Sequence, residues 1–113
     1  MKTKLLILLV GASVLLNCTS NKENKTLSGL DKAKFQTVIN GDSTGLYVLK
    51  NASGMEVSIT NFGGRIVSVM VPDKTGKMID VVLGFDSISD YINVPSDFGA
   101  SIGRYANRIN QGK

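Results

Sequence analysis

From Phe35 onwards, hydrophobic and polar residues alternate with a period of two, which is typical of β-strands that bury one face. The run MEVSITN shows the pattern most clearly, because Met55, Val57 and Ile59 project to one side and polar residues to the other. We expect its apolar side to be buried. Six segments are predicted to form strands: FQTVI, LYVLK, MEVSITN, RIVSVMV, KMIDVVLGF and GASIGRYANRI.

The segment RIVSVMV is predicted to be covered on both sides, because its valines share one face while Ile66 and Met70 lie on the other. Pro72 should end this strand, since proline cannot donate to a sheet ladder. The turn PDKTG then leads into KMIDVVLGF. The two strands are therefore predicted to form a hairpin.

The segment DSISDYI interrupts the strand pattern, and we expect Asp86 or Ser87 to cap a single helical turn there. Extended chain resumes at FGASIGRYANRI, with Gly99 and Gly103 at bends or close contacts. Short strands joined by tight turns predict an all-β protein, either an antiparallel β-sandwich or a barrel. Each apolar sheet face needs a cover, so six strands alone would be marginally stable.

The first eighteen residues, MKTKLLILLVGASVLLNC, differ from the rest of the chain. Two lysines precede an apolar run of 12 residues, too short to cross a bilayer, which needs about 20 residues. This pattern predicts an export signal. The single cysteine, Cys18, lies at the expected cleavage point, and LLNC resembles the lipobox of bacterial lipoproteins. We therefore expect lipidation of Cys18 and a periplasmic or outer-membrane location; a plain signal peptide is the alternative.

Residues 19–34 are polar, charged and without aromatic side chains, and are predicted to be a flexible tether. Residues 35–113 are then the folded part. The net charge of +4 comes from scattered lysines and arginines rather than a basic patch, so no nucleic-acid partner is predicted.

The chain contains no histidine, which excludes a serine–histidine–aspartate triad, a cysteine–histidine pair and a histidine metal site within it. No phosphate-binding glycine loop is present either, and we predict neither a cofactor nor a metal. The aspartates at positions 80, 86, 90 and 97 lie in predicted turns and loops. A catalytic carboxylate pair or a calcium site remains open, but turn capping is favoured.

The cluster of Arg65, Arg104, Asn107 and Arg108 is more informative. An amide with a donor and an acceptor, beside a rigid fork of donors, suits the ring oxygen and vicinal hydroxyls of a sugar. On a regular strand Asn107 points away from Arg108, so a bulge or a strand end is needed to bring the two into one pocket. Pairing of an arginine with an aspartate is the alternative.

The stretch from NFGG to ANRI closely resembles the N-terminal part of the aldose 1-epimerases, or galactose mutarotases. The matching elements are NFGG, VPDKTGK, DVVLGFDS followed by Tyr91, and FGASIGRYANRI, in the family's order over about fifty residues. The resemblance implies a galactose mutarotase-like β-sandwich (a supersandwich), of which only the N-terminal portion is present in residues 35–113. The lipobox-like start further resembles exported bacterial members.

The resemblance also implies a function, the interconversion of α and β anomers of aldohexoses such as galactose and glucose. It implies that Asn107 and Arg108 contact the monosaccharide and that Arg104 is structural. In the family, a late glutamate acts as general base and a mid-chain histidine as general acid. Neither is found here, since Glu23 and Glu56 match no catalytic position, and we expect the 113 residues alone to be inactive.

Two other classes of function remain open. A non-catalytic sugar-binding module would use Asn107 and Arg108 equally well, and a structural β-sandwich lipoprotein would need no pocket at all. A phosphosugar epimerase is disfavoured, because the export signal removes the protein from cytoplasmic phosphosugars.

Overall fold

The computed structural model describes residues 24–107 and is built mainly from antiparallel β-structure. The elements are a 3-10 helix (Lys32–Phe35), β1 (Val38–Ile39), β2 (Asp42–Ser43), β3 (Leu46–Lys50), β4 (Glu56–Thr60), β5 (Arg65–Pro72), β6 (Met78–Asp80) and α1 (Ile88–Asn93). Strands β3 to β6 form a four-stranded sheet in chain order, and β1 pairs with β2 in a separate two-stranded sheet. The all-β prediction is confirmed, and this part fits a portion of an antiparallel β-sandwich.

Side-chain oxygens close the hairpin turns of the larger sheet. The Asn51 carbonyl oxygen accepts hydrogen bonds from the backbone N–H groups of Ser53 and Met55, at 3.1 and 2.9 Å. In the predicted PDKTG turn, one Asp73 carboxylate oxygen accepts from the backbone N–H groups of Thr75 and Lys77. The predicted β5–β6 hairpin is confirmed, with Val71 opposite Ile79 and Pro72 at the end of β5.

A β-bulge in β5 changes which of its residues face the core. Ser58 pairs with Ser68 but Ile59 pairs with Ile66, so Val67 is an extra residue on β5. Val67 is consequently buried in the hydrophobic core with Phe35. Strict alternation predicted that Val67 and Val69 share one face, and the bulge places them on different faces.

The more deeply buried face of β4 is its polar face, which reverses our expectation for MEVSITN. Glu56, Ser58 and Thr60 are each at most 1% exposed, whereas Val57 and Ile59 are partly exposed. Alternation distinguishes two faces but does not say which one the rest of the chain covers. Here the N-terminal segment covers the polar face, and the backbone N–H of Leu27 donates to the Glu56 carboxylate at 2.6 Å.

That N-terminal segment also differs from the flexible tether expected over residues 19–34. Over 24–34 it forms a turn closed by a bridge between Lys25 and Asp31, followed by the 3-10 helix, which Asp31 caps by accepting from Ala33 N–H at 3.0 Å. Its few apolar side chains are enough to anchor it, because Leu30 is buried in the core. The core consists of Leu30, Phe35, Leu46, Val67, Ile88 and Tyr91.

Three of the six predicted strands differ from the structure. FQTVI shortens to Val38–Ile39, because Phe35 is the last residue of the 3-10 helix and Gln36 and Thr37 join no ladder. KMIDVVLGF shortens to Met78–Asp80, because the Asp80 carboxylate accepts from Val69 and Val82 N–H groups. The predicted strand GASIGRYANRI is wrong over residues 99–107, where no strand is formed.

The predicted helical turn in DSISDYI is confirmed as α1, capped by Ser87. Within residues 24–107, no helix has both the length and the apolar character needed to span a membrane.

Candidate functional site

The described residues include one member of the predicted sugar-binding pair. Asn107 is exposed, and its φ of 71° lies in the left-handed region, which asparagine tolerates better than most residues. The backbone at Asn107 is therefore not extended. Arg108 and the predicted lipidation residue Cys18 lie outside the described residues. Arg104 is exposed on the same segment.

Arg65, at the start of β5, contacts the segment that leads to Asn107. One terminal guanidinium nitrogen donates to the backbone carbonyls of Ser96 and Phe98, at 3.0 and 3.1 Å. The guanidinium carbon also lies 5.4 Å from the centroid of the Tyr91 ring, within the range of a cation–π interaction. The sequence singled out Arg65 but gave no sign that its partners are backbone carbonyls 31 and 33 residues away.

Two further contacts fix residues 99–101 against the same corner of the sheet. The backbone N–H of Ile66 donates to the Gly99 carbonyl at 2.8 Å, and the Ser101 hydroxyl donates to the Gly64 carbonyl. A β-carbon at Gly99 would overlap the backbone of Ile66, and the φ of 65° there also favours glycine. Gly99 in FGAS thus permits a close approach of two backbones.

Aromatic side chains fill the space between this segment and α1. The ring centroids of Phe85 and Tyr91 are 5.0 Å apart in an edge-to-face arrangement, and those of Phe85 and Phe98 are 5.5 Å apart. The Tyr91 hydroxyl accepts from the backbone N–H of Phe85 at 3.1 Å. These contacts connect DVVLGFDS, Tyr91 and FGAS, three of the sequence elements in which the resemblance was found.

The NFGG turn is tied to the preceding strands by Asn61. Its side-chain carbonyl accepts from Gly45 N–H and its amide donates to the Ser43 carbonyl, both at 2.9 Å. Beside this turn, a cleft of about 260 Å³ is lined by Asn40, Asp42, Asn61 and Phe62 among others. It does not include Asn107.

Two of the four aspartates singled out in the sequence accept hydrogen bonds from backbone or hydroxyl groups. Asp80 accepts from two backbone N–H groups, and Asp90 accepts from the Ser87 hydroxyl at 2.7 Å. Asp86 lines a polar cleft of about 200 Å³ near Lys25 and Lys34. Residues 24–107 contain no group of three or more histidine, cysteine or acidic side chains placed to hold a metal ion.

Comparison with known proteins identifies the family. The family model described as aldose 1-epimerase matches residues 45–113, more than half of the chain. A probable aldose 1-epimerase of Arthroderma benhamiae is 34% identical over 101 residues, covering 86% of this chain and 23% of that protein. The galactose mutarotase of Homo sapiens is 34% identical over 86 residues, covering 76% of this chain and 25% of that protein. The aldose 1-epimerase of Escherichia coli is 39% identical over 64 residues, covering 57% of this chain and 18% of that protein.

No solved structure matches significantly. The matched regions span between 17% and 25% of the length of the curated relatives. The match covers NFGG, the β5–β6 hairpin, α1 and FGASIGRYANRI, the elements that Arg65, Gly99 and the aromatic cluster bring together. The chain belongs to the aldose 1-epimerase family.

Proposed function

We propose that the protein to which these residues belong is an aldose 1-epimerase that interconverts the α and β anomers of aldohexoses, such as galactose and glucose, in carbohydrate metabolism. The family match over residues 45–113, with FGASIGRYANRI inside it, is the observation that carries the proposal. The relatives' names supply the reaction, since they include galactose mutarotase and aldose 1-epimerase.

In this proposal Asn107 and Arg108 bind the sugar. The Asn107 amide offers both donors and an acceptor, and the Arg108 guanidinium offers a planar set of donors for adjacent hydroxyls. The ring opens when one proton leaves the anomeric hydroxyl as another reaches the ring oxygen, which requires a general base and a general acid. The 113 residues contain no histidine to act as the acid, so the chain alone is proposed to be inactive.

Polarimetry of the full-length protein with α-galactose and α-glucose tests the function. We expect wild type to accelerate the approach to the equilibrium rotation above the spontaneous rate, and the 113-residue chain to leave the spontaneous rate unchanged. Arg108→Met should raise KM by roughly tenfold or more, since hydrogen bonds from a charged group are lost. Lys74→Met, in the exposed β5–β6 turn, is the matched control and should behave as wild type. A full-length protein without mutarotation would refute the proposal.

We also propose that the protein is exported and anchored by lipid on Cys18. The basic residues, apolar run and LLNC sequence support this location. Metabolic labelling with palmitate should mark the wild type in the membrane fraction, whereas Cys18→Ser should remain unlabelled and leave that fraction. Equal labelling of both proteins would contradict the anchor.

A further inference from the structure

We infer that Arg65 is a positioning residue of the proposed sugar site: its guanidinium fixes the segment that delivers Asn107 and Arg108. This inference rests on the proposed function. It concerns a residue in NFGGR that does not itself contact the sugar in our proposal.

The inference rests on two hydrogen bonds from the Arg65 side chain to the backbone. A single guanidinium nitrogen of Arg65 donates to two carbonyls, Ser96 at 3.0 Å and Phe98 at 3.1 Å. Carbonyls two residues apart on one segment, held by one donor group, fix both its position and its direction. Hydrogen bonds from a charged donor are also stronger than neutral ones.

The surroundings of Arg65 limit where its guanidinium can lie. It stacks at 5.4 Å over the Tyr91 ring, and Tyr91 is buried in the core at 5% exposure. The Arg65 Nε is buried and has no hydrogen-bond partner among the described residues. The Tyr91 ring and the carbonyls of Ser96 and Phe98 therefore define the position of the guanidinium. A lysine offers a point charge without the planar group and would not reproduce both contacts.

The fixed segment leads directly to the sugar-binding pair. Residues 96–101 are held by Arg65, by the Ile66–Gly99 hydrogen bond and by the Ser101–Gly64 hydrogen bond. Asn107 follows Ser101 by six residues, a distance of at most roughly 20 Å when fully extended. The anchored end of this short stretch restricts where Asn107 can lie, and Arg108 is the next residue in the sequence.

A loosened anchor should weaken sugar binding more than it slows the chemistry. Contacts of Asn107 and Arg108 with sugar hydroxyls exist in both the bound substrate and the transition state, and the loss of such contacts raises KM with little change in kcat. A purely structural arginine would instead lower the folded fraction, which reduces apparent kcat and leaves KM unchanged.

The test compares full-length wild type with Arg65→Met, Arg65→Lys and the exposed control Lys74→Met. We expect Arg65→Met to raise KM for galactose roughly fivefold to tenfold with kcat within about twofold, Arg65→Lys to be intermediate, and Lys74→Met to match wild type. Unchanged KM in both Arg65 variants, with kcat falling only as the folded fraction falls, would overturn the inference.

Amide hydrogen exchange provides a readout that does not depend on activity. In Arg65→Met, the hydrogen-bonded amides of Ile66, Phe98 and Ala100 should exchange faster while those of β3 and β4 remain protected. Unchanged exchange at these three amides would overturn the positioning role. If wild type shows no mutarotation, the proposed function fails, and the exchange result still decides whether Arg65 holds this segment.

Discussion

At the scale of single residues, the clearest constraint is the close approach of two backbones at Gly99. Its carbonyl accepts from Ile66 N–H at 2.8 Å, its φ is positive, and a β-carbon would overlap the Ile66 carbonyl oxygen. Gly54 offers a matched comparison, because its φ is also positive at 87° but a β-carbon there meets open space.

We predict that Gly99→Ala destabilises the chain more than Gly54→Ala does. The Gly54 variant should lose about 1–2 kcal/mol through its left-handed backbone alone. The Gly99 variant should lose a further ~1–3 kcal/mol through the steric overlap. Urea unfolding measures both free energies. Equal losses would show that the two backbones are not in close contact.

Glu56, the first residue of β4, is a second residue with an unusual environment, because this acidic residue is only 1% exposed. One oxygen accepts from Leu27 N–H, and the other lies 2.9 Å from Lys50 Nζ in an ion pair that lacks hydrogen-bond geometry. The Lys50 side chain is mostly exposed, so the ion pair itself is partly screened by solvent. The bond to Leu27 therefore attaches the N-terminal segment to the sheet in addition to the packing of Leu30 in the core.

Glu56→Ala should lower the free energy of unfolding by about 1–3 kcal/mol, because Leu27 N–H loses its acceptor in a partly buried position. Glu56→Gln keeps an oxygen for Leu27 and should lose clearly less. Thermal or urea unfolding of the two variants makes the comparison. If both variants lose the same amount, the Lys50 ion pair rather than the Leu27 bond stabilises this contact.

At the scale of elements, the β5–β6 hairpin depends on the carboxylate of Asp73. The hydrogen bond from the Thr75 side chain is the main cause that lowers the pKa of Asp73 below its ordinary value, with backbone N–H groups of Thr75, Lys77 and Gly76 adding to it. A lowered pKa in the folded state means that the charged form stabilises the hairpin.

The stability from Asp73 should therefore be present above its unfolded pKa and disappear as the pH falls through its lower folded pKa. We predict that wild type is more stable than Asp73→Asn near neutral pH and that the difference shrinks as the pH falls through this range. Thermal unfolding of both proteins between pH 7 and strongly acid solution checks this. A difference that does not change with pH would exclude a role for the Asp73 charge.

The sequence predicted elements well where local chemistry decides them. LYVLK, MEVSITN and RIVSVMV form β3, β4 and β5, and the PDKTG turn and the Ser87 cap follow from their side chains. It failed where distant contacts decide. The polar face of β4 is buried because the N-terminal segment covers it, as the hydrogen bond from Leu27 N–H to Glu56 shows. Strand β6 is shorter than predicted and ends at Asp80, whose carboxylate accepts from Val69 N–H.

The candidate site likewise has a part that the sequence predicted and a part that it did not. Asn107 and Arg108 follow from the motif, since the family resemblance assigns them. The role of Arg65 was not predictable, because its hydrogen bonds go to the backbone carbonyls of Ser96 and Phe98. Backbone groups carry no residue identity, so no sequence pattern marks such a partner.

At the scale of the whole molecule, the sheet has an apolar face that the described residues leave largely open. The register places Tyr47, Ile59 and Ile66 in one row across β3, β4 and β5, with Leu49 and Ile79 on the same face. Tyr47 and Leu49 are 59% and 60% exposed. Contiguous exposed apolar surface of this kind favours association.

We predict that the 113-residue chain by itself self-associates with rising concentration and that Tyr47→Lys combined with Leu49→Lys suppresses this. Val38→Lys, which changes an equally exposed valine on the other sheet, is the control and should not. Analytical ultracentrifugation measures the effect. Association that persists in the double variant but is lost in the control would place the contact elsewhere.

The Arg65 contacts have a consequence for the time course of folding. They join residues 31 and 33 positions apart, whereas the hairpins of the sheet join near neighbours. Closing a longer loop costs more chain entropy before any contact repays it. The sheet should therefore assemble first, and residues 96–101 should come into place only on a sheet that has already formed.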